Sequence, residues 1–385
     1  MTIKLYDDNA YLTSCEATVV SCKETDDNTC ELVLNQTVFF PEEGGQTPDK
    51  GSIQGWDVVD VQIRDDIITH TLTGGQTPFQ EGDHVTCKID WAHRFSNMQQ
   101  HTGEHIFSGL VHEKFGYENV GFHLSDSIVT MDYDGPMTEE EIYDLEEKSN
   151  AAIFADKKIT CYYPSKEELD KLNYRSKKEL NGPIRIVAIE DTDICACCAP
   201  HVKSTAEVGL LKVVDITNYK GGVRLSILCG MRALYDYRLR LSQCRDISHS
   251  TSAKMDEIVF AVEKLKQDIG ELRHNNMEAQ KELLSLQSAN LPADEKDVLL
   301  FTSNTDANIL RYEVNNLTQS HPGYCGIFNK NDSGYNFIIG SREKDCSLLA
   351  KELREKLNAK GGGKPEMIQG SLTASEDEIR CIILK

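Results

Sequence analysis

No run of eighteen apolar residues occurs in this chain, so nothing in it reads as a membrane-spanning helix. Its first residues, Met1-Thr-Ile-Lys-Leu-Tyr-Asp-Asp, carry acids almost at once and lack a secretory apolar core. Positive charge is short as well. The 41 Lys and Arg face 62 Asp and Glu, and the net charge of −21 argues against a generally basic nucleic-acid binder. Local patches still decide such binding. Lys157, Lys158, Lys166, Lys171, Arg175, Lys177 and Lys178 gather in one stretch, and Arg224, Arg232, Arg238, Arg240 and Arg245 in another. These are either contact surfaces for a polyanion or plain solvated faces. The 13 cysteines are odd in number and irregularly spaced, which speaks against a disulfide framework. A reducing, cytoplasmic setting is expected, where thiols bind metal or pack as small hydrophobes.

What is present is a split set of metal-type ligands. His101 and His105 fall in Asn97-Met-Gln-Gln-His-Thr-Gly-Glu-His105, and Cys197 and His201 in Cys195-Ala-Cys-Cys-Ala-Pro-His201. Two His at i and i+4 share one face of a helix, close enough for one ion. The second pair repeats the interval and adds a thiolate and a third imidazole. Zinc takes such mixed nitrogen and sulfur sets tetrahedrally, and a site with one open position is catalytic. A lone H-x-x-x-H is weak evidence, but both pairs lie among small or polar neighbours and not in apolar stripes.

At 385 residues, two or three domains are expected. Segments 16–22, 29–34, 57–63 and 67–72 are short and β-branched, separated by turns at 26–28 and 74–75, with 82–90 as a closing strand. They predict a small barrel or curled sheet. A helix from Trp91 to about Phe115 carries both histidines, with Phe95, Met98, Ile106, Leu110 and Phe115 as core positions. A helix at 138–155 and strands at 184–189, 209–216 and 223–228 then predict an α+β layer, the first of these strands leading into the Cys-rich turn.

Ile258, Val262, Leu265, Ile269, Leu272, Asn276, Ala279, Leu283 and Leu286 alternate spacings of four and three. This is a heptad seam, and a buried Asn276 would select register and partner number. The seam joins either a second copy of the chain or the chain's own C-terminal part, and the helix ends before Pro292. Beyond it, strands at 298–301 and 334–340 and a helix at 346–358 form an α/β unit. The run Lys360-Gly-Gly-Gly-Lys-Pro-Glu-Met-Ile-Gln-Gly370 is either a flexible turn or a loop whose bare amides and Lys364 suit a phosphate or sugar hydroxyl.

Here three motifs carry a family resemblance. Thr37-Val-Phe-Phe-Pro-Glu-Glu-Gly-Gly-Gln46, followed by Asp49-Lys-Gly51, resembles the glycine-rich motif of the alanyl-tRNA synthetase editing domain. The two ligand pairs resemble that domain's H-x-x-x-H and C-x-x-x-H zinc signature. The 361–369 segment resembles the signature of the DHH-associated C-terminal domain. They occur in order over essentially the whole chain, as in the long, free-standing AlaX-type editing proteins. Thr102-Gly-Glu104, Cys198-Ala-Pro200 and Lys364 depart from the usual spacers. Nothing ahead of the barrel resembles an aminoacylation domain, so a full synthetase is not expected.

The resemblance implies an α+β protein: an N-terminal small β-barrel (1–90), an α+β sandwich editing core with the zinc site (91–245), a long coiled-coil-like helix (246–292) and a C-terminal α/β DHH-associated RNA-binding domain (293–385). It implies an aminoacyl-tRNA deacylase for tRNA(Ala) mischarged with serine or glycine, with Zn²⁺ held by His101, His105, Cys197 and His201. Catalytic roles fall to Thr37, Gln46, His101 and Cys197, and substrate binding to Thr37, Gly44, Gly45 and Gln46. Gly361, Gly362, Gly363 and Lys364, with Lys360 nearby, would contact tRNA. A homodimer through the 258–286 heptads or the C-terminal domain is a further expectation. Glu104 faces another side of its helix, so it is not assigned as a general base. A non-catalytic tRNA-binding protein with structural zinc is the alternative. A nuclease finds no Asp-His-His run or carboxylate cluster to support it.

Overall fold

A computed structural model describes residues 1–25, 28–74, 78–176 and 183–384. The expected turns at 26–28 and 74–75 lie partly outside these residues, and Lys177 and Lys178 wholly so. The chain divides into two compact units, Met1–Gln243 and Cys244–Lys385.

The first unit opens with a closed six-stranded antiparallel barrel. Its strands run, in spatial order, Ser14–Glu24, Thr29–Leu34, Ile67–Thr73, Trp56–Arg64, Gly51–Ile53 and His84–Ile89. Strand alternation sets its interior: Cys30, Leu32 and Leu34 point in while Glu31 points out, and Val85, Cys87 and Ile89 point in while Thr86 and Lys88 point out. The three-residue strand Gly51–Ile53, not anticipated from the sequence, closes the cylinder by pairing with both Trp56–Arg64 and His84–Ile89.

The helix Trp91–Phe115 follows within two residues. Asp90 caps it by accepting from the His93 amide, and Gly116 ends it in the left-handed region at φ 71°. From Asn97 through Gly109 every residue on it is buried, because elements enclose it on several sides. A four-stranded antiparallel sheet, ordered Leu211–Tyr219, Gly222–Cys229, Val129–Tyr133 and Asn119–Leu124, packs on it. A second sheet carries Ile159–Tyr162, Ile186–Ile189 and Asp193–Ala196. Cys195 therefore belongs to a paired strand, opposite Val187, and not to a turn; the Cys-rich loop begins one position past that strand, at Cys197. The helix Glu139–Phe154 starts on a reciprocal Thr138–Glu141 capping box. Two apolar clusters fill the unit, one in the barrel and one in the α+β layer, and Cys197 and Trp91 pack against both.

In the second unit a five-stranded sheet is ordered Val298–Ser303, Cys325–Asn331, Gly334–Gly340, Met367–Leu372 and Lys360–Lys364. The first two strands are parallel and joined by the helix Ala307–Ser320; the rest are antiparallel. The glycine run is thus an edge strand of a hairpin, not a loop. Gly362 faces Gln369 in register, and Pro365 and Glu366 make the turn. The seam helix spans Ile258–Ala289. Leu284, one position off the heptad line, is its buried residue and packs with Val298, Leu300, Ile309 and Leu310. Leu265, Ile269, Leu272, Leu283 and Leu286 on the heptad line are exposed, Leu272 by 67%.

Candidate metal centre

His101 and His105 stack on the buried face of the helix Trp91–Phe115, and the loop after Asp193–Ala196 brings Cys197 and His201 against them. The four ligand atoms all lie within 4.8 Å of one another. Cys197 Sγ is 3.5 Å from His101 Nε2 and 3.5 Å from His201 Nε2. A tetrahedral ion bound at about 2.1 Å by nitrogen and about 2.3 Å by sulfur separates those atoms by about 3.6 Å, so the spacing fits one four-coordinate ion.

The imidazoles are also turned correctly. His101 Nδ1 lies 2.8 Å from Gln46 Oε1, His201 Nδ1 3.0 Å from Thr102 Oγ1, and His105 Nδ1 3.1 Å from Asp193 Oδ2. The amide oxygen and the carboxylate accept only, so Nδ1–H of His101 and of His105 donates outward; the Thr102 oxygen, which already accepts from the Val202 amide, is placed to accept from His201 as well. That leaves Nε2 of the three rings for an ion. Burial lowers the His105 pKa but Asp193 and Cys197 raise it to about 9, so an ion binding there displaces a proton. Burial would push the Cys197 thiol up, but His101, His105 and His201 around it pull it well below the usual thiol range, toward the thiolate that metals bind. Burial holds His201 neutral, its pKa lowered to about 3.

Gln46 reaches this centre because the chain turns sharply before it. Glu43 and Gln46 exchange backbone hydrogen bonds of 3.3 and 3.1 Å around Gly44 and Gly45. Gly45 sits at φ 85°, and a Cβ there would meet the Phe122 carbonyl oxygen at 2.5 Å. The Leu124 amide donates to Gly45 O and the Thr47 amide to Leu124 O, pinning the turn to strand Asn119–Leu124. Gln46 is fully buried, its oxygen spent on His101, and its Nε2 has no partner among the described residues. Phe122 packs on the His101 ring at 4.7 Å between centroids.

Thr37 is placed differently. Its hydroxyl lies 2.8 Å from His70 Nε2 and accepts from the Phe39 amide, and neither bond runs to the four ligands. Glu104 is buried beside the centre. One of its oxygens accepts from Ser108 and Asn119, and the other lies 3.9 Å from His105 Nε2. Several residues in the basic stretches are engaged in pairs within the fold, and of these Arg175 is buried. Arg175 pairs with Asp193, Arg224 with Asp132, and Arg232 ties Ser96, Asn97 and Ser125 together. In the second unit, Gly362, Gly363 and Lys364 line an open cleft of about 870 Å³ together with Arg311 and Arg342. Gly361 offers its carbonyl to Arg354.

Sequence reasoning missed Asp193, Thr102 and His70. Only Thr102 carried a local hint, being the neighbour of His101; the other two act across 88 and 33 residues of chain.

Two family models match parts of this chain: tRNA synthetases class II (A) over residues 7–93, and the threonyl and alanyl tRNA synthetase second additional domain over residues 184–225. The second match contains Cys197 and His201, and the histidine pair lies between the two. Alanyl-tRNA editing protein AlaX-L of Pyrococcus horikoshii is 28% identical over 100% of this chain and 98% of its own length. The whole chain is similar to the AlaX-type editing proteins. Alanyl-tRNA editing protein Aarsd1 of Rattus norvegicus is 26% identical over 95% of this chain and 93% of its own. The alanine–tRNA ligase of Ignicoccus hospitalis is 26% identical over 94% of this chain but only 40% of the ligase, so the similarity covers a part of that larger enzyme. Among solved structures, the C-Ala domain of Aquifex aeolicus alanyl-tRNA synthetase aligns with 24% of this chain and 95% of the domain at 20% identity, with a TM-score of 0.21.

Proposed function

We propose that this chain is an aminoacyl-tRNA deacylase that removes serine, and glycine, from mischarged tRNA(Ala) in trans, with Zn²⁺ at the four-ligand centre. The observation that carries the reading is the Gln46 carboxamide: its oxygen orients a ligand histidine while its Nε2, buried and unpaired, is a ready donor for a bound ester. A buried orphan donor costs about 1–3 kcal/mol unless something accepts from it, and a substrate carbonyl or hydroxyl is such an acceptor.

An activation site sized for alanine excludes glycine poorly, and rejects an added hydroxyl poorly by apolar contact, so a second hydrolytic sieve is needed. Here Gln46 polarises the ester carbonyl or holds the serine hydroxyl. Thr37 supplies an acceptor: His70 Nδ1 donates to Leu32 O, so the Thr37 hydroxyl donates to His70 Nε2 and its oxygen keeps one lone pair beside that taken by the Phe39 amide. Water adds to the activated ester, the carbonyl–ribose oxygen bond breaks, and amino acid and tRNA are released. Gly44 and Gly45 let the backbone close over the acyl group. Zn²⁺ held by His101, His105, Cys197 and His201 would supply Lewis-acid polarisation to a carbonyl or a water only where one of these ligands gives way. Because four protein ligands fill a tetrahedral shell, His101 and Cys197 serve first to fix the pocket.

In the second unit the cleft of Gly362, Gly363 and Lys364, with Arg311 and Arg342 added, holds the tRNA body. The exposed seam pairs with a second copy. The deciding experiment compares deacylation of Ser-tRNA(Ala) and Ala-tRNA(Ala), with and without chelator. A far faster serine reaction that chelation abolishes is expected, and equal rates would sink the reading. Tight tRNA binding with no turnover would instead favour a binding protein with a structural ion, the reading that the filled ligand shell supports.

A further inference from the structure

The three imidazoles of the centre are not held alike. His101 leans on a neutral carboxamide and His201 on a neutral hydroxyl. His105 alone leans on a carboxylate, and that carboxylate is itself clamped. Arg175 Nε donates to Asp193 Oδ1 at 2.8 Å and Arg175 Nη2 to Asp193 Oδ2 at 2.9 Å, a planar two-point grip. Asp193 and Arg175 are both buried, with 2% and 7% of their side chains exposed. Strand pairing fixes the base of the chain: Asp193 faces Ile189 in register, and the Arg175 amide donates to Ile194 O.

His105, Asp193 and Cys195 also lie close enough together to hold an ion of their own. That second arrangement is already satisfied without one. Both Asp193 oxygens are taken by Arg175, one of them also by His105, and the Cys195 thiol lies against the Ala196 carbonyl. A cleft of about 1030 Å³ runs behind this relay, lined by Gly109, His112, Lys158, Arg175 and Asp193. None of the four ligands lines it.

We propose that Arg175 and Asp193 are positioning residues that make His105 the anchoring ligand of the metal centre. A carboxylate behind the imidazole fixes its tautomer and raises its donor strength, and the guanidinium keeps that carboxylate charged and aimed. His101 and His201 then complete a shell that His105 begins. The role rests on the metal reading above, and it extends the centre from four ligands to a relay of support behind one of them.

The test is zinc affinity, measured by chelator competition on the full-length protein with no substrate present. Asp193→Asn keeps the shape and removes the charge, and should weaken zinc about 10- to 100-fold. Arg175→Gln should weaken it in the same direction by less. The double variant should bind no more weakly than Asp193→Asn alone, since both act through one carboxylate. Thr102→Val, which removes the neutral support of His201, should weaken zinc less than Asp193→Asn does. Saturating Co²⁺ should give the wild-type thiolate charge-transfer band in every variant, which separates a weaker site from a lost one. Unchanged affinity in both Asp193→Asn and Arg175→Gln, or a larger loss in Thr102→Val, overturns the proposal. A wild-type protein that binds no zinc removes the metal centre, and this proposal with it.

Discussion

The carboxylate of Asp49 and the guanidinium of Arg94 meet with neither side chain exposed to water. Arg94 also donates to Ala10 O and Val38 O, and Asp49 also accepts from the Phe40 amide. Five points of chain are gathered there, among them both ends of the segment that carries Gly44, Gly45 and Gln46. The first turns of the helix Trp91–Phe115 are thereby locked to the segment that reaches His101. Removing one partner of a buried pair costs about 3–5 kcal/mol. Arg94→Met should lower unfolding stability in urea by that order, and should lower deacylation further than stability alone explains when both are measured at a temperature where the variant is folded.

Gln46→Leu preserves volume and removes both amide functions. Losing one preorganised donor to a developing oxyanion lowers turnover by about 100-fold or more. The expected result is that loss in kcat/KM for Ser-tRNA(Ala) with zinc still bound in equilibrium dialysis. Full activity would remove Gln46 from the reaction.

His70 titrates as a folding probe. Burial pulls its pKa from the ordinary 6.5 down to about 4, while its bond to Leu32 O opposes the shift. The unfolded chain therefore takes up a proton as pH falls through 6.5 and the folded one does not until about 4. Stability from this group is complete above pH 6.5 and is lost as pH falls toward 4. Tm measured across that window should fall with pH, and His70→Gln should flatten the slope. A parallel slope in the variant assigns the acid sensitivity elsewhere.

Gly45→Ala places a Cβ at a positive φ and against the Phe122 carbonyl. A non-glycine residue held in such a region costs about 1–3 kcal/mol, and here the neighbour that must move packs on His101. We expect weakened substrate binding, read as a raised KM, with a smaller change in kcat.

The heptad line of the seam helix exposes Leu265, Ile269, Leu272, Leu283 and Leu286. If a second copy covers it, Leu272→Asp should shift the mass measured by light scattering from two chains to one at micromolar concentration. Leu284→Asp should instead destabilise the second unit itself, since Leu284 is buried there. A wild-type protein that is monomeric throughout ends the dimer reading.

Features set by neighbours in sequence are legible in the sequence. The Asp90 cap and Gly116 bound the histidine helix, and the i, i+4 interval places both its ligands on one face. Alternation marks the longer barrel strands. The strand Gly51–Ile53 is too short to show a period, and its role depends on two neighbours that lie apart in sequence. The glycine run reads as a turn because nothing within it favours a strand; its partner Met367–Leu372 makes it one. Leu283 and Leu284 are adjacent, and only the sheet beneath decides which is covered. The supports of the metal centre are the least legible, because a hydrogen bond from His105 to Asp193 leaves no spacing to read.

Cys197 touches the apolar interior of the barrel and that of the α+β layer at once. An ion bound to it is therefore a rivet between two cores as well as part of a pocket. Zinc starvation would not leave an intact but idle catalyst; it would loosen the joint itself. Proteolytic nicking of the metal-free protein should concentrate at the loop bearing Cys197 and His201.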